Sequence, residues 1–326
     1  MARNLFVVLN KNFYWLYLQR GKLIYYSIID LLMKKLLQTI TALLVVIYSC
    51  SPDLPVVPPI NSVTTGESHP GKFVWRDLMT DDISSVKKFY SELFGWTYID
   101  VGESDNDYTV VLHDGKPIAG IFRLRDVEAR QRYSQWISYL SVTDMNQAIN
   151  YTKSSGGSIY RDPFELPNRG TVSFIFDSQN AVLAFVKSSS GDPVNQDPIY
   201  NEWFWTELWT NDVENSVKFY TELLGYNHKT FDTRAENQYH VLEKENRPRA
   251  GVIKIPFENV KPHWMPYIAV KDPAEIVKKV EQLGGIVYLG TEGIAGNNAA
   301  IIADPSGAVF TVQKWPLDKG EFNEVK

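Results

Sequence analysis

One stretch of sequence occurs twice and decides the fold, first as Trp75-Arg76-Asp77-Leu78-Met79-Thr80-Asp81-Asp82 and again as Trp205-Thr206-Glu207-Leu208-Trp209-Thr210-Asn211-Asp212. Each stretch runs into a second matching phrase, Phe89-Tyr90-Ser91-Glu92-Leu93-Phe94-Gly95 in the first copy and Phe219-Tyr220-Thr221-Glu222-Leu223-Leu224-Gly225 in the second. The offset stays at 130 residues from the first tryptophan to the last glycine. An ungapped offset across aromatic, acidic and glycine positions indicates a tandem duplication.

The second half of each copy repeats as well. Trp136 and Asp144 are followed 128 residues later by Trp264 and Asp272. Within each copy, the phrase of strand, aspartate and helix also recurs about half a copy later. The chain is therefore predicted to hold four related modules in two pairs.

Alternation and helical spacing predict the elements of one module. Residues 73–80 alternate as a strand, and Asp82 is placed to cap a helix whose apolar residues fall on one face. Gly95 is placed to end that helix. Three short strands separated by polar turns are predicted to follow, at 98–101, 108–112 and 117–124. One module is thus β-α-β-β-β.

These features resemble the vicinal oxygen chelate superfamily, which contains glyoxalase, the bleomycin-resistance proteins and the extradiol dioxygenases. The resemblance rests on Phe-Tyr seven and eight residues after the aspartate, on the Leu-Phe-Gly or Leu-Leu-Gly helix end, and on the turn Asp304-Pro305-Ser306-Gly307. It implies an α+β fold of two tandem glyoxalase-like domains, residues 71–188 and 200–316, each a curved open sheet around a cleft. Residues 189–199 would form the linker and 317–326 a tail.

Residues 1–49 differ in kind from the rest. A short basic head at Met33 precedes an apolar run, residues 36–47, which is too short to span a bilayer comfortably. Cys50, the only cysteine, follows. The pattern resembles a bacterial lipoprotein signal, which would be cleaved before Cys50 and leave the acylated protein anchored to a membrane of the cell envelope. The alternative is a buried structural cysteine at the end of a hydrophobic helix.

The segments on either side of this signal are interpreted separately. Residues 1–32 fit no signal architecture, so translation is expected to begin at Met33, with an extra membrane segment as the alternative. Residues 50–70 are rich in proline, serine and threonine and are predicted to form an extended tether.

The charge balance argues against nucleic-acid binding. The full chain has 33 basic and 38 acidic residues, and removing residues 1–49 takes away six basic residues and one acidic residue. The remaining 27 basic and 37 acidic residues give a net charge of −10. Nucleic-acid affinity depends on neutralising phosphates with lysine and arginine, so no nucleic-acid partner is expected.

Enzymes of the superfamily hold a divalent metal ion with His, Gln or Glu side chains. The resemblance places those ligands at positions that here hold Trp75, Ile137, Ala184, Trp205, Met265 and Thr311. Indole and alkyl groups cannot act as ligands, a thioether is soft and a neutral hydroxyl is weak. No metal site and no cofactor are therefore predicted. The five histidines show no zinc-motif spacing, and His113 and His240 are the most plausible ligands among them.

Strand alternation predicts which side chains replaced the ligands. Residues two apart on a strand share a face. The face of the first domain carries Trp75, Asp77, Met79, Ile137 and Tyr139. The face of the second carries Trp205, Glu207, Trp209, Met265 and Tyr267. The catalytic candidates are the two carboxylates and the two tyrosines, and the other six residues are candidate ligand contacts.

An apolar wall with a few polar groups is typical of a small-molecule pocket, and a carboxylate within it can have a pKa raised enough for acid–base chemistry. The alternative is a structural acid–tyrosine hydrogen bond in a cleft plugged by tryptophan. Gly120 and Gly251 are expected to allow close strand approach rather than to cradle a phosphate.

Three classes of function remain open. The missing metal donors favour a metal-free protein that binds a small, partly aromatic molecule. A divergent metal-dependent lyase, isomerase or dioxygenase is the second class, and a structural or interaction module with filled clefts is the third. Since four modules lie in one chain, the pairing that glyoxalase relatives reach by dimerisation can be internal, and a monomer is expected.

Overall fold

The computed structural model describes residues 57–102, 108–123, 134–232, 238–293 and 297–316. The predicted signal segment, Cys50 and the predicted tail lie outside these residues. Within the described residues, no helix is both long and apolar enough to cross a membrane.

The first domain is an eight-stranded sheet with two helices. Its strands are β1 (Phe73–Thr80), β2 (Thr97–Val101), β3 (Tyr108–His113), β4 (Lys116–Arg123), β5 (Gln135–Ser141), β6 (Ser158–Leu166), β7 (Gly170–Phe176) and β8 (Val182–Ser188), and its helices are α1 (Ile83–Phe94) and α2 (Met145–Ser154). The strand order is β2-β3-β4-β1-β5-β8-β7-β6. The two modules meet at the antiparallel pair β1 and β5, and each central strand also has a parallel neighbour.

The second domain repeats this architecture. Its strands are β9 (Trp203–Thr210), β10 (Asn227–Asp232), β11 (Gln238–Lys244), β12 (Arg247–Lys254), β13 (His263–Val270), β14 (Ile286–Leu289), β15 (Ala299–Ala303) and β16 (Val309–Lys314), and its helices are α3 (Val213–Leu224) and α4 (Pro273–Val280). The strand order is β10-β11-β12-β9-β13-β16-β15-β14. The predicted α+β fold of two tandem glyoxalase-like domains is therefore confirmed.

The repeated aspartate and glycine bound the helices, as their spacing predicts. Asp82 accepts a hydrogen bond from the backbone of Ser85 at the start of α1, and Gly95 ends this helix with φ of 72°. Asp212 and Gly225 do the same for α3, where the glycine has φ of 64°. A side-chain acceptor satisfies a free backbone N–H at a helix start, and glycine takes the left-handed conformation at little cost.

The helices pack between the two sheets and join the domains. Phe89 and Phe94 of α1 share a buried core with Ile302 and Phe310 of the second domain. Residues of α2 and α3 share a second core that also draws on both domains. The first module thus packs with the fourth, and the second with the third, so each core is built by both copies.

The structure corrects the predicted tether for residues 57–70. Val57 and Ile60 are buried against the first domain, with 0% and 5% exposure. Asn61 donates from Nδ2 to the Gly191 carbonyl at 2.8 Å, and Thr65 donates from Oγ1 to the Asp192 carbonyl at 2.7 Å. The composition of the segment predicted a solvated chain, but its apolar residues bury and its polar residues bond to the linker region.

Candidate functional site

The first-domain candidates lie together on the sheet face away from the helices, which we call the first cleft. Trp75 pairs in register with Tyr139, and Asp77 pairs with Ile137, across β1 and β5. All four side chains are buried, and Met79 packs against the same cluster. The structure therefore brings all five candidates of the first domain into one group.

Asp77 belongs to a buried ionic network. Trp75 Nε1 and Tyr108 Oη each donate to Asp77 Oδ1 at 2.8 Å. Arg169 donates from Nη2 to Tyr108 Oη at 3.1 Å, and its guanidinium carbon lies 4.1 Å from the centre of the Trp75 ring. Burial raises the pKa of Tyr139 well above its ordinary value, and the nearby Asp77 carboxylate adds to this shift. A cation thus lies close to the only carboxylate among the first-domain candidates.

The chain's own N-terminal segment fills the first cleft. Val57 and Ile60 belong to the same buried cluster as Trp75 and Tyr139. Arg169 Nε donates to the Pro58 carbonyl at 3.0 Å, which ties this segment to the ionic network. The filled-cleft alternative left open by the sequence therefore describes the first domain.

The second-domain candidates occupy the equivalent face, which we call the second cleft. Trp205 pairs with Tyr267 and Glu207 with Met265 across β9 and β13. Trp209 and Met265 are buried together, and Tyr267 packs against them while partly exposed. These five candidates also form one group, but two of them, Trp205 and Tyr267, remain partly accessible.

Glu207 is the chemically distinctive group of the second cleft. Trp209 Nε1 donates to Glu207 Oε1 at 2.8 Å. Burial raises the pKa of Glu207, and hydrogen bonds from Trp209, Tyr239 and Tyr267 partly oppose that rise. The position equivalent to Arg169, 128 residues later, holds the exposed Asn297. Because the second cleft lacks this cation, its carboxyl group favours the protonated form at higher pH than an ordinary glutamate does.

Three residues of these clefts were missed by strand reasoning. Tyr108 and Tyr239, 131 residues apart, approach Asp77 and Glu207 from the neighbouring strands. Their repetition near the duplication offset is the signal that could have identified them. Arg169 has no counterpart in the repeat, so the sequence offers no such signal for it.

Two glycines make room for these tyrosines. A Cβ atom on Gly120 would lie 1.9 Å from Tyr108 Oη, and one on Gly251 would lie 2.1 Å from Tyr239 Oη. Atoms cannot approach so closely, so any larger residue would push the hydroxyl away from its acid. The predicted close approach at both glycines is confirmed, and the group that approaches is a phenol.

The donors of the clefts do not fit the divalent metal ion of the superfamily. Ala184 lies in register with Tyr139, and Thr311 with Tyr267, so the family positions do meet within each cleft. They offer indole, alkyl, thioether and neutral hydroxyl groups, which are poor ligands for such ions. Within the described part of the chain, no three His, Cys, Asp or Glu side chains are grouped to hold a metal ion.

The two most plausible histidines have other contacts. His113 Nδ1 lies 3.0 Å from Glu202 Oε1, outside both groups of candidates. His240 Nδ1 lies 3.3 Å from Thr230 Oγ1, and burial lowers its pKa, with His228 contributing. Neither histidine joins Asp77 or Glu207.

Comparison with known proteins supports the resemblance. Residues 72–185 match the Glyoxalase/Bleomycin resistance protein/Dioxygenase superfamily. The matched range covers the first domain. A protein of Mycobacterium bovis named "Putative glyoxylase CFP32" is 28% identical over 243 residues, which cover 74% of this chain and 93% of that protein. The anthracycline biosynthesis protein DauV of a Streptomyces species is 26% identical over 257 residues, with the same two shares of coverage.

Solved structures support the fold across both domains. The Mn(II)-bound glyoxalase of Novosphingobium aromaticivorans has a TM-score of 0.51 and 15% identity, covering 76% of this chain and 83% of that chain. The 2,2′,3-trihydroxybiphenyl 1,2-dioxygenase of Sphingomonas wittichii has a TM-score of 0.52 and 13% identity, covering 76% of this chain and 91% of that chain. Similarity at such low identity shows the fold, and the fold alone does not determine function.

Proposed function

We propose that this protein binds a small, partly aromatic molecule in the second cleft without a metal ion, with Glu207 as the polar contact. The observation that carries this proposal is a buried carboxyl group, 7% exposed, that has no arginine counterpart to Arg169 and is surrounded by indole and phenol groups. A protonated carboxyl group donates a hydrogen bond as well as accepting one. Glu207 is therefore suited to a carbonyl or hydroxyl oxygen of a neutral ligand.

The walls of the second cleft favour an aromatic ligand body. Trp205 is partly accessible beside Tyr239, to which it donates a hydrogen bond of 3.0 Å. Trp209 stacks at a tilt on the exposed Phe257, with 5.7 Å between ring centres. Aromatic faces and edges attract other aromatic rings beyond the effect of buried area. A relative named for anthracycline biosynthesis supports the same ligand class, because anthracyclines are polycyclic aromatic compounds.

The two clefts have different roles in this proposal. The first cleft is filled by residues 57–60, and its carboxylate lies in a network with Arg169. Its residues stabilise the first domain and the attachment of the N-terminal segment. Ligand binding is therefore assigned to the second cleft alone.

Proton transfer is a second candidate function, favoured by the raised pKa of Glu207. A carboxyl group that titrates nearer to neutral pH can donate or accept a proton in a lyase or isomerase reaction. Tyr239 and Tyr267 both hydrogen-bond toward this group and would orient it. Turnover of a bound ligand, lost on Glu207→Gln while binding persists, separates this candidate from binding alone.

The proposed function is tested by tryptophan fluorescence titration of the full-length chain after dialysis against EDTA. The probe is 4-hydroxyacetophenone, a neutral aromatic molecule with a carbonyl acceptor. We expect saturable quenching, and roughly tenfold weaker binding on Glu207→Ala because a buried hydrogen bond is lost. Glu214→Ala, on the exposed side of α3, is the matched control and should bind like the wild type. Equal affinity in Glu207→Ala, or binding only after metal is restored, would contradict the proposal.

A further inference from the structure

A groove between the two domains has properties that neither cleft explains. It has a volume of ≈ 310 Å³, which is within the range of small-molecule sites. Its main lining segments are residues 72–76, 193–199, 202–206 and 247–249. Asp77, Glu207 and the candidate tyrosines do not line it, so the groove is a site separate from the proposed one.

The groove concentrates positive charge in an acidic protein. Five cations line it, namely Lys72, Arg76, Lys116, Arg247 and Arg249, whereas the acids in the lining are Asp197 and Glu202. Glu202 contacts His113, which occupies one of these acids. The whole chain carries a net charge of −5, so this local excess runs against the overall balance. Such a concentration attracts small anions.

Arg76 is a buried cation without an acid beside it. Its side chain is almost wholly covered, and the residue is 6% exposed. Its Nη2 donates to Thr206 Oγ1 at 2.5 Å and to the Trp205 carbonyl at 3.3 Å, both neutral acceptors. Burial lowers its pKa to about 9, and no carboxylate opposes this shift. Burying a charge is costly unless an opposite charge compensates it.

The unused hydrogen-bonding capacity at the groove has one sign. Among the described lining residues, the buried side-chain atoms without a partner are Arg76 Nε, Trp203 Nε1 and Arg249 Nε. All three are N–H donors, which need an acceptor. Buried polar groups are nearly always paired in native proteins. An acceptor-rich ligand would satisfy these donors after a modest rotation of the guanidinium groups.

The surroundings of Lys72 agree with an anion site. Lys72 Nζ donates to the Val194 carbonyl at 3.0 Å, at the linker side of the groove. Burial lowers the pKa of Lys72 to about 8, and the charges of Arg249 and Arg247 lower it further. The positive groups around the groove therefore repel one another, and an anion among them would relieve that repulsion.

We propose that this groove binds a small aromatic carboxylate, with its carboxylate between Arg76 and Arg249 and its ring against Trp203 and Phe204. Arginine pairs with carboxylates through two parallel hydrogen bonds, which suits a planar acid. Trp203 already lies 5.3 Å from the Arg76 guanidinium carbon, so an aromatic face adjoins the cationic one. The site is independent of the second cleft and does not require Glu207.

Isothermal titration of the full-length chain with benzoate tests this site, with benzyl alcohol as the neutral analogue. We expect benzoate to bind at least roughly tenfold more tightly than benzyl alcohol, and its affinity to fall as salt is raised. Arg76→Met should weaken benzoate binding by about tenfold or more, since it removes a buried charge contact. Arg161→Met, an exposed arginine of the first domain, should leave it unchanged.

A second variant guards against misfolding of the buried substitution. Arg247 is exposed, so Arg247→Glu leaves the core intact and should still weaken benzoate by several-fold, on the order of threefold to tenfold. Unchanged benzoate affinity in Arg247→Glu, equal binding of benzoate and benzyl alcohol, or no benzoate binding would each overturn the proposal. Loss of benzoate binding in Glu207→Ala would overturn it too, because benzoate would then occupy the second cleft.

Discussion

Tyr90 of the first domain donates a hydrogen bond to Asp304 of the second, with 3.0 Å between Oη and Oδ2. Tyr220 of the second domain makes the equivalent bond to Asp177 of the first, at 2.8 Å. Each tyrosine comes from the repeated Phe-Tyr phrase, and each aspartate from the turn before the last strand of its domain. The two most recognisable repeats in the sequence are therefore the two ends of one contact, made twice across the domain interface.

We expect Tyr90→Phe and Tyr220→Phe each to lower the free energy of unfolding by about 1–3 kcal/mol, the cost of leaving a buried acceptor unpaired. Urea unfolding of the full-length chain measures this. Tyr160→Phe is the matched control, because Tyr160 is 72% exposed. If Tyr90→Phe costs no more than the control, the interdomain bond does not contribute to stability.

The packing of the N-terminal segment on the first cleft predicts a second pair of variants. Ile60→Ala should lower the free energy of unfolding by about 2–5 kcal/mol, because it leaves a cavity in the buried cluster. Val63→Ala should have little effect, since Val63 is 80% exposed. Thermal unfolding of both variants decides the matter, and equal melting temperatures would mean that residues 57–60 are not packed in solution.

Glu207 predicts a dependence of stability on pH. Burial raises its folded-state pKa above the ordinary value of 4.5, so the folded protein holds this proton more tightly than the unfolded chain does. The resulting stabilisation is complete below pH 4.5 and is lost as the pH rises through the folded-state pKa. It amounts to about 1.4 kcal/mol for each unit by which the pKa is raised.

Glu207→Gln cannot ionise and isolates this effect. We expect its free energy of unfolding to gain on that of the wild type as the pH rises above 4.5. Chemical denaturation across the pH range provides the two profiles. Parallel profiles, or a wild type that gains relative to the variant, would show that the pKa of Glu207 is not raised.

The lipoprotein-like signal predicts the location of the protein. Cys50→Ala should move the protein from the membrane fraction to the soluble fraction of bacterial cells that express the full chain, because the acylated thiol is the expected anchor. Ser62→Ala is a suitable control. A membrane fraction that is unchanged by the cysteine substitution would contradict lipid anchoring.

Local signals were sufficient to predict the fold and the composition of both candidate groups. Asp82 and Gly95 mark helix ends through their own backbone and side-chain chemistry, wherever the helix later packs. The two-residue period of a strand then places Asp77 with Trp75, and Glu207 with Trp209, once the register is known. These inferences need no knowledge of distant contacts.

Contacts between distant parts of the chain could not be predicted in this way. Arg169 reaches Tyr108 from a turn between β6 and β7, and no repeat or spacing links the two residues. Residues 57–60 were predicted to be solvated because their composition resembles a linker. No local pattern shows which chain segment covers a cleft, so the difference between the filled first cleft and the more accessible second one emerged only from the structure.

Anomalous diffraction from crystals of the EDTA-treated protein soaked in 4-bromophenol tests the central claim most directly. Bromine marks the position of the aromatic ring, and transition metals give their own anomalous signal. The account predicts a bromine peak in the second cleft beside Trp209 and Glu207, with no transition-metal peak there. A transition-metal peak in that cleft, or bromine bound elsewhere and absent from it, would contradict the account.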